Sequence, residues 1–322
     1  MPVIFSFLLP AAMSSTLQIL FPVFGLILAG FVCRRINLLG PTSASELNRF
    51  VVWLALPALL FYTVARTTWA ELYQPGFAAA FGLGLAAVFG VVLIWRRCQG
   101  VPLVDASIDA MAAAYPNVGY MGFPMGILVF GAPSMLATTI AMLLVACVLF
   151  AVSIVCIETG LQTERRPHRL AGKVLAALAR NPLIIAPIAG ALMMATETPL
   201  PAGVDTFMAL LAGAASPCAL VSLGLFLADK RPAVQAGPTA IWLTVVKMVA
   251  QPALTWWLAA RVFELPADMV GMAVLLAALP TGTGPYMLAQ HYARPAQVTA
   301  RVILLSTVGA LATLTLLLAV LI

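Results

Sequence analysis

The sequence predicts an all-α membrane protein of ten transmembrane helices, arranged as two inverted five-helix repeats with helices 4 and 9 broken. Three observations predict this fold class: an apolar composition, ten separate apolar runs, and prolines that recur in the same order in both halves. Of the 322 residues, 63% are hydrophobic and 9% are charged, whereas a soluble domain carries about 25% charged residues. Since no soluble core could bury so much apolar surface, lipid is the predicted solvent.

Ten apolar runs are each close to the roughly 20 residues that a spanning helix needs. Short polar or basic connections separate them. The predicted spans are 15–33, 46–65, 75–95, 107–130, 134–157, 179–196, 206–228, 238–260, 268–291 and 298–321. Three segments follow from these spans: a first five-helix repeat at 1–157, a cytoplasmic linker at 158–178 and a second, inverted repeat at 179–322.

The basic residues predict how these spans are oriented. Fourteen of the 17 lysines and arginines lie in or next to the connections after spans 1, 3, 5, 7 and 9, two lie on the other side, and Lys247 lies within span 8. The positive-inside rule then places the basic connections in the cytoplasm and both termini on the periplasmic side of the cell inner membrane. The same loops account for the net charge of +6 without a nucleic-acid partner. Acidic residues near span ends, namely Asp105, Asp109 and Glu158, are expected to be solvated.

Prolines with similar neighbours predict the internal repeat. Three pairs recur in the same order, the first two at an offset of 160 residues and the third at 164: Pro22 and Pro182, Pro57 and Pro217, and Pro116 and Pro280. Because each half has an odd number of spans, the second repeat is inverted in the membrane. Inverted repeats allow two mirrored conformations of one chain, which is the architecture of alternating access.

The stretch "MAAAYPNVGYMGFPMGILVFG" (111–131) and its counterpart "ALPTGTGPYM" (278–287) interrupt spans 4 and 9 with proline and glycine. A broken membrane helix frees N–H and C=O groups that cost several kcal/mol each in hydrocarbon, so such a break survives only inside protein or beside water. Paired breaks at matching positions are typical of a transporter's binding site. Half-helices that begin near Asn117 and Thr283 could hold an anion at their N-termini. Carbonyl ends and hydroxyl oxygens could instead hold a cation.

A lysine in the middle of span 8 adds to this site. Lys247 is expected to be functional because a buried ammonium is expensive at membrane depth. It could be a counter-ion for an anionic substrate, a tether to a half-helix C-terminus or a proton carrier. No carboxylate lies clearly mid-membrane, which favours anions or weak acids as cargo. The predicted substrate-binding residues are Pro116, Asn117, Gly119, Tyr120, Lys247, Pro280, Thr281, Gly282, Thr283 and Gly284.

Catalytic and cofactor motifs are absent from the sequence. There is no metalloprotease, serine-hydrolase or phosphate-loop pattern, and the five cysteines have no metal-ligand spacing. We therefore expect neither an enzyme nor a cofactor or metal. Without a nucleotide motif, transport would be secondary and driven by gradients.

Five blocks together resemble the auxin efflux carrier family, which includes plant auxin exporters and bacterial malate and malonate permeases. They are "LNRFVVWLALPALLF" (47–61), "AAAYPNVGYMGFPMGILVFG" (112–131), "ASPCALVSLGLFLA" (215–228), "VVKMVAQPAL" (245–254) and "ALPTGTGPYMLAQHY" (278–292). The resemblance covers nearly the whole chain. It implies that helices 4 and 9 cross at Pro116 and Pro280 beside the substrate. It further implies a scaffold domain and a transport domain, an elevator motion and often a homodimer.

The predicted function is a secondary active transporter of small organic anions across the inner membrane by elevator-type alternating access. Carboxylates such as malate or malonate and auxin-like weak acids are the candidate substrates. This chain has a Pro-Asn pair where plant auxin exporters have a longer Asn-Pro-Asn-Thr run, which favours small dicarboxylates over auxin. The alternative is a sodium-coupled symporter of the bile-acid type, and proton or sodium coupling stays open.

Overall fold

The protein is helical throughout the part of the chain that the computed structural model describes. That part comprises residues 3–161, 172, 179–229 and 237–321, with the backbone alone for residues 3–17. Its extended pairing is limited to one antiparallel bridge between Pro116 and Thr281. The predicted all-α class is therefore confirmed. Most of the predicted linker 158–178 lies outside the described residues, and the repeat boundaries stay predictions.

Twelve helices organise the described residues, besides a single turn at Trp69–Leu72. In chain order they are α1 (Val3–Arg35), α2 (Ser43–Ala65), α3 (Pro75–Cys98), α4 (Leu103–Ala114), α5 (Val118–Phe130), α6 (Ser134–Leu161), α7 (Pro182–Ala195), α8 (Ala202–Ala228), α9 (238–262), α10 (Ala267–Ala278), α11 (Gly284–His291) and α12 (Gln297–Leu321). Six of the described helices are long and apolar enough to span a membrane, and they match predicted spans 1, 2, 3, 5, 7 and 10. The apolar helices α5, α7 and α10 are shorter.

Three prolines within helices are each preceded by a π turn. Proline lacks an N–H group and its ring crowds the carbonyl four residues earlier, and a wider π turn relieves that contact. Three π turns each end two residues before a proline: Val51–Ala55 before Pro57, Val118–Gly122 before Pro124 and Val246–Ala250 before Pro252. These helices continue past their prolines, so a proline alone does not break a helix in this chain.

Glycines bring two helix pairs into close contact, α1 with α8 and α7 with α2. A Cβ atom on Gly30 would lie 2.2 Å from the carbonyl oxygen of Val221, and one on Gly190 would lie 2.8 Å from that of Phe61. Gly190 follows Gly30 by 160 residues and Val221 follows Phe61 by the same number. The same glycine contact therefore occurs twice, with the partners exchanged between the halves of the chain.

Besides the four helices α1, α2, α7 and α8, six other helices pack against one another: α3, α4, α6, α9, α10 and α12. The Nε atom of Arg96, at the end of α3, donates to the Asp109 carboxylate of α4 over 2.8 Å. Asp109 is only 6% exposed, so the expectation that it is solvated is wrong. Burial without a partner would strongly disfavour the carboxylate, and the adjacent guanidinium supplies the opposite charge.

We expect Gly30→Ala to destabilise the protein by about 1–3 kcal/mol, because the new methyl group would overlap the backbone of α8. The measurement is the thermal unfolding midpoint of purified protein in detergent. Gly25→Ala is the matched control, since Gly25 lies on the same helix with nothing within 4 Å of its Cβ position. Equal midpoints for the two variants would contradict the close contact between α1 and α8.

Candidate functional site

Two interrupted helices meet back to back at the candidate site. Helix α4 ends at Ala114 before α5 begins, and α10 ends at Ala278 before α11 begins. The short extended segments between these helices pair with each other. Asn117 N–H donates to the Pro280 carbonyl over 2.8 Å, and Gly282 N–H donates to the Tyr115 carbonyl over 3.0 Å. This crossover satisfies part of the backbone that the breaks expose.

The carbonyl end of α4 accepts hydrogen bonds from two side chains, one in the other crossover segment and one on α9. Ala112 O has no donor in its own helix, because the residue four positions later is Pro116. The Thr281 hydroxyl donates to it over 2.9 Å. The N–H group of Val118 donates to the Pro116 carbonyl and not to Ala114 O, four residues earlier. The Gln251 side-chain amide donates to Ala114 O instead, over 3.2 Å.

The carbonyl end of α10 is satisfied by a charged side chain. Thr281 N–H donates to the Ser306 hydroxyl over 3.0 Å and so does not continue the helix to Ala277 O. Lys247 Nζ donates to that oxygen over 2.7 Å, and the lysine is 0% exposed. Of the three roles that the sequence leaves open for Lys247, the structure shows the contact that a tether requires. The roles of counter-ion and proton carrier stay predictions.

A cavity of about 150 Å³ lies beside the crossover. Six predicted site residues line it: Pro116, Asn117, Gly119, Tyr120, Thr283 and Gly284. The other four predicted residues, Pro280, Thr281, Gly282 and Lys247, are not among its lining residues. None of the described lining residues is charged. A charged side chain that affects a ligand in this cavity must therefore belong to a residue that does not line it.

Asn117 lines this cavity and has a hydrogen-bond donor without a partner in the described part of the chain. Its side chain is 4% exposed, and its Nδ2 atom has no partner among the described residues. The half-helices α5 and α11 both begin at the cavity, and neither has a side-chain cap at its N-terminus in the described structure. The site thus offers an amide donor and the positive ends of two helices to a ligand that accepts hydrogen bonds.

Other residues of the site carry weaker sequence signals. The Tyr115 ring lies against α11, where a Cβ atom on Gly284 would be 2.6 Å from its Cζ atom. Tyr120 donates through its hydroxyl to the Asn48 side chain of α2. Gln251 could have been predicted, since it lies one turn after Lys247 on the same helix face. The apolar wall from α6, formed by Met142, Val145, Ala146 and Phe150, has no sequence signal that separates it from lipid-facing residues.

Comparison with known proteins identifies a family of membrane transport proteins. The profile of the family described as "Membrane transport protein" (Mem_trans) matches residues 15–318. The chain is 29% identical over 309 residues to the "Putative malonate transporter" of Rhizobium meliloti, covering 94% of this chain and 95% of that protein. It is 23% identical to the "Uncharacterized transporter YfdV" of Escherichia coli K12, covering 85% and 87% of the two chains.

We expect Thr281→Val to lower the free energy of unfolding by about 1–2 kcal/mol, because it leaves Ala112 O buried without a donor. Valine keeps the shape of threonine and removes only the hydroxyl. Thr281→Ser, which keeps the hydroxyl, is the control and should unfold close to the wild type. Thermal midpoints in detergent measure both variants. A valine variant as stable as the serine variant would show that this hydrogen bond does not support the crossover.

Proposed function

Because this chain belongs to the Mem_trans family of membrane transport proteins, the auxin efflux carrier family, we propose that it is a secondary active transporter of small carboxylates. The observation that carries the proposal is the buried, unpartnered amide of Asn117 at the wall of the crossover cavity. A buried donor without an acceptor is costly, and a carboxylate oxygen would satisfy it. The two half-helix N-termini would stabilise the negative charge of the same ligand.

The size of the cavity supports a substrate of a few carbon atoms. Sites for drug-sized ligands occupy about 300–1,000 Å³, whereas this cavity has about 150 Å³. Its apolar wall from α6 suits the methylene groups of a short diacid. The relative named for malonate makes malonate the first substrate to test, with malate next.

Transport would proceed by alternating access between two mirrored states. The repeated contact of Gly30 with Val221 and of Gly190 with Phe61 supports two inverted repeats, since one rotation would exchange the two contacts. Helices α1, α2, α7 and α8 would form the scaffold, and the crossover helices with α3, α6, α9 and α12 would form the transport domain. This arrangement is consistent with ten spans and an elevator motion in the inner membrane.

The described cavity is proposed to face the cytoplasm. Asn181 lines it and precedes α7. The preceding residue, Arg180, belongs to the basic connections that the positive-inside rule places in the cytoplasm. The structure would then correspond to the inward-facing state, with both termini on the periplasmic side.

Sodium coupling of the bile-acid type is the second candidate. The Gln251 side chain is 0% exposed, and its Oε1 atom has no donor among the described residues, as a cation ligand would require. Lys247 lies one turn away and would repel a cation there. We therefore expect malonate uptake into vesicles not to respond to an imposed sodium gradient. Uptake that requires sodium would favour the symporter.

We expect Asn117→Ala to weaken malonate binding about tenfold or more, because one hydrogen bond to a charged group is lost. The unliganded variant should be at least as stable as the wild type, since the substitution removes a buried donor that has no partner. Thermal shift of purified protein with added malonate measures both effects.

Thr307→Ala is the control for this substitution. Its hydroxyl is also buried and unpartnered, but Thr307 does not line the cavity. The control should keep the malonate response of the wild type. If malonate stabilises Asn117→Ala as much as it stabilises the wild type, the carboxylate does not bind where we propose.

A further inference from the structure

We propose that Lys247 determines the charge selectivity of the site from behind the cavity wall, by covering the carbonyl end of α10 with a positive charge. This inference rests on the proposed function and adds a selectivity residue to it. Lys247 would not touch the substrate. It would act through Ala277 and through its electric field.

Four helix ends meet at the crossover and carry opposite partial charges. The N–H ends of α5 and α11 each correspond to about half a positive charge, and the carbonyl ends of α4 and α10 to about half a negative charge. With two ends of each sign close together, the carbonyl ends offset part of the preference for anions that the N–H ends give the cavity. The side chains that cover these ends therefore affect how strongly the cavity prefers anions.

The structure covers the two carbonyl ends and leaves the two N–H ends uncapped. Ala112 and Ala114 at the end of α4 receive uncharged donors, Thr281 and Gln251. Ala277 near the end of α10 receives the Lys247 ammonium. No side chain caps the N-terminus of α5 or α11 among the described residues. The balance of partial charges at the crossover is thereby shifted towards positive.

The lysine charge has no counter-charge in the described structure. Lys247 forms no ion pair there, and the residue is fully buried. A buried ammonium without a partner is expensive at membrane depth, and a bound anion would lower that cost through the low-dielectric interior. The free energy gained should increase with the number of negative charges on the ligand.

A purely structural tether would not need this charge. Gln251 lies one turn from Lys247 on the same helix, is equally buried and holds the carbonyl end of the other broken helix with a neutral amide. The same helix therefore shows that a neutral donor is sufficient to hold such a carbonyl. Gln251 is for this reason the matched control for the charge of Lys247.

The experiment compares two ligands of the same shape that differ by one charge. Malonate is predominantly the dianion at pH 7, and malonamate replaces one carboxylate with an uncharged amide. Binding of each is measured by titration calorimetry on detergent-solubilised wild type, Lys247→Gln, Lys247→Met and Gln251→Leu. The quantity tested is the dissociation constant of malonamate divided by that of malonate. A structural defect would weaken both ligands alike and leave this ratio unchanged.

We expect both neutral variants of Lys247 to lose about tenfold in malonate affinity and about threefold in malonamate affinity, so that the preference for the dianion falls. Gln251→Leu should weaken both ligands by the same factor and leave the ratio unchanged. Lys247→Arg, which keeps the charge, should keep the wild-type ratio even where its stability is lower.

Two results would overturn the inference while leaving the proposed function intact. The first is a ratio in Lys247→Gln and Lys247→Met that equals the wild-type ratio. The second is a ratio in Gln251→Leu that falls as far as it does in the neutral Lys247 variants. Failure of the proposed function has a different signature, in which wild type binds neither ligand. If the two neutral variants do not fold while Lys247→Arg does, the ratio for the arginine variant decides: a ratio below that of the wild type overturns the inference.

Discussion

Every peptide group at membrane depth needs a hydrogen-bond partner, and this requirement organises the whole site. Pro116 and Pro280 lie where two helices stop, and the segments around them pair with each other because lipid offers no alternative. The carbonyl groups still unpaired after that pairing recruit Thr281, Gln251 and Lys247. Buried polar side chains of distant parts of the chain, namely Asn117, Lys247, Gln251, Thr281 and Ser306, therefore gather where the helices break, beside the candidate site.

The two halves of the chain are alike in packing and unlike in chemistry. The glycine contacts of α1 with α8 and of α7 with α2 agree to the residue at an offset of 160. The tethers do not repeat, because Lys247 and Gln251 both belong to α9. Their counterparts on α3, at an offset of 160 or 164, are Leu83, Ala87 and Val91, which are apolar and exposed. Repeated packing supports two mirrored states, whereas the unrepeated tethers are the residues proposed to set the charge of the ligand.

Sequence reasoning predicted the two helix breaks, because proline and glycine signal them, and missed the residues that only packing brings to the cavity. Proline and glycine signal a broken helix directly, and the central position of Lys247 signals a buried charge. The cavity wall from α6 is apolar in the same way as a lipid-facing surface, so Met142 and Phe150 gave no signal. Asp109 was misjudged because distance from a span end does not reveal a guanidinium 13 residues earlier in the chain.

The positions of the hydrogen bonds suggest how the proposed elevator motion could break few of them. The hydrogen bonds that hold the crossover join α4, α9, α10 and α12 to the crossover segments, so they would move together with the substrate. The opposite side of the cavity is formed by Val52 and Leu56 of α2 and by Leu183 of α7, and apolar contacts of this kind can slide. A polar contact that does cross this boundary is the hydrogen bond from Tyr120 to Asn48. Sliding would break that bond while the site itself stays assembled, which is what a carrier of the elevator type requires.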